Sequence, residues 1–158
     1  MAALRRGEAT GLDFRRPSYV FLFLALLTIA FHRSGAEVVT LTADTFTDKI
    51  KEKDTVWFVK FCVPWCKYCN KLGTLWEELG KAVEAEDEIE VGEVDCSLNK
   101  AVCTKVHIYS YPTFKIFYDG EEFAKYQGQR DVESLKSFVL KEADKATKTE
   151  MEDEKDEL

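Results

Sequence analysis

The sequence lacks several features that would assign it to common functional classes. It has no internal repeat, no Pro- or Gly-rich linker and no glycine-rich phosphate-binding loop. It has no clustered basic face, and the formal net charge is −7, whereas a nucleic-acid-binding protein normally presents such a face. Neither Asn70 nor Asn99 is followed by the hydroxyl residue that N-glycosylation needs. We therefore expect one globular domain with no nucleic-acid partner.

Long apolar runs are also missing. The longest, Tyr19–Phe31, is shorter than the about 20 residues that a helix needs to cross a bilayer. Arginines precede it and the small residues 34–36 follow it, which is the layout of a secretory signal peptide. We predict a signal peptide over residues 1–36, cleaved after Ala36, with an uncleaved signal anchor as the alternative.

The last four residues match the tetrapeptide that the endoplasmic reticulum retrieval receptor binds. They are Lys155, Asp156, Glu157 and Leu158. We predict that residues 144–158, in which charge dominates, form a flexible tail that displays this signal.

Between these ends, residues 37–143 alternate between strand and helix patterns. The predicted strands are 38–41, 55–61, 89–94, 113–118 and 122–126. The predicted helices are 42–50, one long helix after Cys66, 97–105 and 131–143. This order predicts an α/β domain with a mixed central sheet that helices cover on both faces.

The chain contains a pair of cysteines two residues apart, Cys66 and Cys69. They lie where a buried strand gives way to a helix, and unsatisfied N–H groups at a helix start stabilise a thiolate. We predict that Cys66 is the exposed nucleophile and that Cys69, one helical turn later, faces inward and resolves the mixed disulfide. The retrieval signal would place these thiols where cells make and rearrange disulfides.

The sequence around the pair is similar to a known family. Residues 63–69, Val-Pro-Trp-Cys-Lys-Tyr-Cys, resemble Ala-Pro-Trp-Cys-Gly-His-Cys, the hallmark of protein disulfide isomerases. Tyr111-Pro112-Thr113 resembles the family's cis-proline that faces the cysteine pair, and Gln129-Arg130-Asp131 matches a segment that carries an arginine near the resolving cysteine. The resemblance covers about Val38 to Ala143 and implies a thioredoxin fold.

The resemblance also implies roles for individual residues. Pro112 would shape a groove in which backbone groups of Tyr111 pair with a client strand, with an ordinary trans-proline as the alternative. Arg130 would favour the thiolate of Cys69, with a solvated arginine as the alternative. Trp65 would shield the disulfide and contact clients, with a partly buried core tryptophan as the alternative.

Departures from the family pattern affect the chemistry. Lys67 and Tyr68 replace the usual Gly-His. For a two-electron couple, about 30 mV of reduction potential corresponds to roughly 1.4 kcal/mol, so this exchange is expected to shift the reduction potential of the cysteine pair. The sequence leaves the direction of the shift open. Lys60 occupies the strand position of a buried acid that accepts the proton of the resolving cysteine, and a lysine could do so only in its neutral form. Thr74 replaces a helix-kinking proline.

Three further cysteines remain. In an oxidising compartment Cys96 and Cys103 are expected to form a structural disulfide, and some family members carry a cysteine pair in this segment. Cys62, near the end of the central strand, is then expected to be a buried, inert thiol. The alternative is a reactive thiol that pairs with Cys66 or with another chain.

Two metal sites compete with this interpretation. The spacing of Cys62, Cys66 and Cys69 also matches the cluster ligands of radical S-adenosylmethionine enzymes, but the chain lacks their length and glycine-rich loops. A structural zinc site needs four ligands, and His107 is the only histidine outside the predicted signal. We expect no metal and no organic cofactor, because the reaction is exchange between sulfurs.

These observations predict a thiol–disulfide oxidoreductase or isomerase that acts on folding secretory proteins in the endoplasmic reticulum lumen. The alternative is a retained chaperone or client-binding module with little redox activity. The expected partners are unfolded or misoxidised secretory proteins, the retrieval receptor, and a thiol oxidase or glutathione. No membrane span is expected after signal cleavage.

Overall fold

The computed structural model describes residues 38–156, with side chains as far as residue 149. The predicted signal peptide and the end of the retrieval signal, Glu157 and Leu158, lie outside the described residues, as do the side chains of Lys155 and Asp156. The strands are β1 (Val39–Thr40), β2 (Val56–Cys62), β3 (Ile89–Asp95), β4 (Thr113–Tyr118) and β5 (Glu121–Lys125). The helices are α1 (Phe46–Lys49), α2 (Lys67–Asn70), α3 (Leu75–Ala82), α4 (Lys100–Lys105) and α5 (Val132–Asp156).

The five strands form one mixed sheet in the order β1-β3-β2-β4-β5. The central strand β2 is parallel to β3 and antiparallel to β4. Its last residue, Cys62, is in register with Asp95 at the end of β3, and Phe61 is in register with Thr113 at the start of β4. The segments that follow β2, follow β3 and precede β4 therefore meet at one edge of the sheet.

Helices cover both faces of this sheet, because side chains along a strand point alternately to opposite faces. Phe58 lies in one hydrophobic layer with Trp76 of α3 and Leu135 of α5. Phe61 lies in the other layer, where its ring meets that of Phe46 of α1 edge-on. Burial of each such side chain stabilises the fold by about 1.5–3 kcal/mol. The predicted α/β class and mixed sheet are confirmed.

The long helix predicted after Cys66 is wrong in one respect, because it is divided into α2 and α3. The break lies at Gly73, whose φ of +48° is a left-handed conformation that glycine adopts at little cost. Thr74 follows the break and donates a side-chain hydrogen bond to Glu78 (2.8 Å). The apolar periodicity in the sequence continues through the break, so it did not reveal the turn.

The final helix begins after Asp131, whose carboxylate accepts hydrogen bonds from the backbone N–H and the hydroxyl of Ser134, each at 2.8 Å. These bonds, the backbone one foremost, lower the pKa of Asp131 below its ordinary value. Burial, followed by the nearby Asp131 carboxylate, raises the pKa of Tyr126. The Tyr126 hydroxyl donates to the carbonyl of Gln129, which ties down the segment that carries Arg130.

The flexible tail predicted from residue 144 is instead helical, because α5 continues to Asp156. Ala146 is buried against the core layer of α3 and α5. Ion pairs one turn apart, such as Asp144–Lys148 at 2.6 Å, add a few tenths of a kcal/mol each. High charge alone favours disorder, whereas this spacing of opposite charges supports a helix. No helix among residues 38–156 is both long and apolar enough to cross a membrane.

Candidate active site

Cys66 is the N-cap residue of α2, immediately beyond the turn that follows β2. Its sulfur accepts a hydrogen bond from the backbone N–H of Cys69 at 3.3 Å. Its thiol also contacts the backbone carbonyl of Tyr111, with 3.6 Å between sulfur and oxygen. The side chain is partly exposed, so a client sulfur can reach it. The Cys66 sulfur is therefore held at a helix start with one side open to solvent.

The structure brings a third cysteine into this site. Cys62, the last residue of β2, forms a disulfide with Cys69, with 6.0 Å between their Cα atoms. Cys66 is the free cysteine among the described residues. The expectation that Cys62 is an inert thiol is therefore wrong, and the pairing alternative considered for it, with Cys66 or another chain, is not the one observed. The turn after β2 brings Cys69 back to the end of that strand, next to Cys62. A search for cysteines two residues apart does not find this pair, because the two are seven positions apart.

The loop before β4 faces the free thiol. The Tyr111–Pro112 peptide bond is cis, as the family resemblance implied, and Pro112 is buried. Thr113 donates its hydroxyl to the carbonyl of Ser110 at 2.7 Å and thereby fixes the loop. The Tyr111 carbonyl is thus held next to the Cys66 sulfur.

Two aromatic side chains form an exposed rim around Cys66. Trp65 is 74% exposed and Tyr68 is 59% exposed, so the alternative of a core tryptophan is wrong. Lys67 between them is also exposed. The Arg130 guanidinium lies 6.0 Å from the centre of the Tyr68 ring, on which the Lys71 ammonium also packs at 5.9 Å.

Arg130 was expected to favour the thiolate of Cys69. In the structure the contact of its guanidinium is with the Tyr68 ring, and Arg130 is exposed. A cation–π contact at an exposed site is worth about 0.5–1 kcal/mol, which is enough to orient the arginine along the rim. The replacement of the family's histidine by Tyr68 provides the ring that makes this contact.

Sequence reasoning missed Glu93. Lys60 on β2 is in register with Glu93 on β3, and 2.8 Å separates Lys60 Nζ from Glu93 Oε2. Both residues line a cavity of about 230 Å³ whose wall also includes Cys62 and Cys69. The neighbouring strand therefore places a carboxylate in the wall of the same cavity, next to the lysine that occupies position 60. The sequence did contain a signal for this ion pair. Lys60 interrupts a buried apolar strand, and Glu93 is the acid that lies opposite it in the parallel register.

The expected bridge between Cys96 and Cys103 is present, with 5.8 Å between the Cα atoms. Both residues are buried in the layer that contains Phe61. The bridge connects the end of β3 to α4, next to the sheet edge that carries the site. Closing a loop this short contributes roughly 2.5 kcal/mol on the chain-entropy estimate.

Comparison with known proteins agrees with this geometry. The thioredoxin family model matches residues 37–141. The chain is 66% identical over 134 residues to protein disulfide isomerase-like 5-1 of Oryza sativa subsp. japonica, which covers 85% of this chain and 91% of the relative. It is 65% identical over 133 residues to protein disulfide-isomerase 5-1 of Arabidopsis thaliana, with 84% and 91% covered. The chain belongs to the protein disulfide isomerase family.

A solved structure gives the same result for the fold. The J-Trx1 fragment of ERdj5 superposes with a TM-score of 0.61 at 31% identity, covering 67% of this chain and 51% of that one. As a member of the protein disulfide isomerase family, the chain is a thiol–disulfide oxidoreductase with the thioredoxin fold. Among residues 38–156, no three His, Cys, Asp or Glu side chains are grouped so that they could hold a metal ion.

Proposed function

We propose that this oxidoreductase rearranges and forms disulfides in folding secretory proteins, with Cys66 as the attacking sulfur. The observation that carries the proposal is the free Cys66 thiol, partly exposed, hydrogen-bonded by the Cys69 N–H and facing the Tyr111 carbonyl. This arrangement holds one reactive sulfur beside a backbone acceptor suited to an extended peptide.

The proposed reaction begins when the Cys66 thiolate attacks a client disulfide. A bond forms between Cys66 and one client sulfur, and the other client sulfur leaves as a thiolate. In isomerisation, a client thiolate then attacks the mixed disulfide and releases Cys66, so no electrons are transferred overall. Reduction starts from the enzyme in which the Cys62–Cys69 disulfide is reduced: the thiolate of Cys69 then attacks the mixed disulfide, the client leaves as a dithiol, and the enzyme holds a Cys66–Cys69 disulfide.

The rim would supply client affinity. Trp65 and Tyr68 present large apolar surfaces to solvent beside Cys66, and Arg130 and Lys71 pack on Tyr68. Exposed aromatic side chains next to a reactive group are typical of a binding surface. This rim also supports the second candidate, a chaperone or client-binding module.

We propose that the protein resides in the endoplasmic reticulum lumen. The support is the predicted signal peptide over residues 1–36 and the retrieval tetrapeptide at residues 155–158. Its partners there would be the retrieval receptor, unfolded or misoxidised clients, and glutathione or a thiol oxidase that restores the disulfide.

Insulin reduction and refolding of scrambled ribonuclease test the proposal. Cys66→Ser should abolish both activities, whereas a Cys96→Ser/Cys103→Ser control that keeps all three site cysteines should retain them. Suppression of client aggregation that survives in Cys66→Ser/Cys69→Ser, together with weak wild-type activity in both assays, would favour the binding module.

A further inference from the structure

Three sulfurs in this site share one disulfide. Cys69 is bonded to Cys62, while its backbone N–H donates to the sulfur of Cys66. Cys69 lies in the same short segment as Cys66, and it is next to the end of β2, where Cys62 lies. Cys62 and Cys66 are therefore both within reach of the Cys69 sulfur. We propose that Cys62 is a third redox-active residue, which exchanges with Cys66 for the disulfide to Cys69. This proposal rests on the proposed function of Cys66.

The exchange is internally balanced. The Cys66 thiolate attacks the Cys69 sulfur, the Cys66–Cys69 bond forms, the Cys62–Cys69 bond breaks, and its electron pair leaves on Cys62. Cys66 gives its proton to water and Cys62 takes one up, so no external oxidant or reductant is required. The oxidised enzyme therefore exists as two isomers of the same oxidation state.

The two isomers have different chemistry. When Cys69 is bonded to Cys62, Cys66 remains a thiol that can attack a client disulfide although the enzyme is oxidised. Cys69 cannot then resolve the mixed disulfide, so release requires a client thiolate, which is isomerisation. When Cys69 is bonded to Cys66, a first client thiolate attacks Cys66 and Cys69 leaves. A second client thiolate then displaces Cys66, so the client gains a disulfide and the enzyme becomes a trithiol.

The surroundings of Cys62 suit a leaving thiolate. Cys62 is only partly buried and lines the cavity of about 230 Å³, through which water can bring and remove protons. Lys60, two residues earlier and on the same face of β2, lines this cavity with its ion-pair partner Glu93. Asp95 lines the cavity as well, so a departing Cys62 thiolate would be stabilised by solvent and not by a net positive charge. An inert core thiol would have neither solvent access nor a charged neighbour.

The test identifies which cysteine remains free in the oxidised enzyme. Wild type is oxidised with glutathione disulfide, quenched with acid and alkylated, and the modified site cysteine is mapped by mass spectrometry. Alkylated Cys66 reports the Cys62–Cys69 isomer, and alkylated Cys62 reports the Cys66–Cys69 isomer. We expect both populations, with no alkylation at Cys96 or Cys103. Modification confined to Cys66, or confined to Cys62, would overturn the exchange.

Activity of oxidised enzyme, assayed without added thiol, provides the second measurement. Cys62→Ala should lose isomerisation of scrambled ribonuclease and gain in the initial rate at which it oxidises a reduced peptide, because every oxidised molecule then holds Cys66–Cys69. Cys62→Val, which fills more of the vacated space, should behave in the same way if the protein remains folded. Unchanged isomerisation in both variants would refute the role of Cys62. If Cys66→Ser also kept insulin reduction, the proposed function itself would fail, so the two failures are distinguishable.

Discussion

Lys60 and Glu93 form an ion pair across the β2–β3 register, with 2.8 Å between Nζ and Oε2, at the wall of the cavity that reaches Cys62 and Cys69. The Lys60 side chain is only 13% exposed, and its ammonium also lies 5.7 Å from the centre of the Trp76 ring. The pair places a carboxylate in the wall of the cavity that Cys69 also lines, even though position 60 itself is a lysine.

Removing that carboxylate should affect both stability and turnover. In Glu93→Gln the partly buried ammonium of Lys60 loses its counter-ion, which we expect to cost about 1–3 kcal/mol of the free energy of unfolding. Turnover in insulin reduction should also fall, since the cavity loses the group that can take the proton of Cys69. Urea unfolding and steady-state kinetics measure the two effects.

Glu90→Gln is the matched control, because Glu90 lies on the same strand but is paired in register with Trp57 instead of Lys60. Adding Lys60→Met to Glu93→Gln should recover part of the lost stability, since it removes the unpaired charge. Equal behaviour of the Glu93 and Glu90 variants would show that the pair has no energetic role.

The Cys96–Cys103 bridge should act on stability and leave exchange chemistry intact. Replacing both cysteines by alanine is expected to lower the free energy of unfolding by about 2.5 kcal/mol, because the unfolded chain regains the entropy that the closed loop removed. Urea unfolding of the double variant, with all three site cysteines retained, measures the loss. Insulin reduction at a temperature where the variant is folded should stay near the wild-type rate, and a collapse of that rate would give the bridge a redox role.

Asp131 should make stability depend on pH at the acid end. Its pKa is lower in the folded protein than the ordinary value of 3.8, so folding favours the carboxylate. The resulting stabilisation is fully present above that ordinary value and is lost as the pH falls through the lower folded pKa. Asp131→Asn should therefore be less stable than wild type at neutral pH, with a gap that closes on acidification.

Urea unfolding at a series of pH values measures this gap, and Asp87→Asn, at an exposed position outside the helix cap, is the control. A gap that stayed constant down to the lowest pH would mean that the carboxylate charge is not what stabilises the cap.

Trp65 should contribute to client binding and not to the fold. Because the indole is 74% exposed, Trp65→Ala should leave the free energy of unfolding within about 0.5 kcal/mol of wild type. The KM for insulin should rise while kcat changes little. This pattern is expected when the lost contact stabilised the bound substrate and the transition state equally. Phe123→Ala is the control. Phe123 lies on β5 close to the hairpin turn, whereas Pro112 lies at the opposite end of β4, so this variant should leave KM unchanged. A fall in kcat with constant KM would place Trp65 in the chemical step instead.

Much of the fold was readable in the sequence because its signals are local. The β-branched and aromatic run of β2 carries its own conformational preference. The cis form of the Tyr111–Pro112 bond was implied by the family resemblance instead, since an X-Pro bond by itself prefers trans. Gly73 was not readable in this way, since the apolar positions on either side of it remain in phase with a single helix. The helical extension of α5 is not readable from charge content alone, because high charge is common both to disordered segments and to helices with ion pairs one turn apart.

By itself the sequence determined the family, the order of strands and helices, the position of the two-spaced cysteines and the residues that could bridge at 96 and 103. Only the tertiary structure decided which sulfurs and charges meet: Cys62 with Cys69, Glu93 with Lys60, and Arg130 with Tyr68. The physical reason is that these contacts depend on strand register and on the path of a turn, which place residues from separate segments within a few ångströms of each other. The local pattern around each residue specifies its own conformation but not its partner.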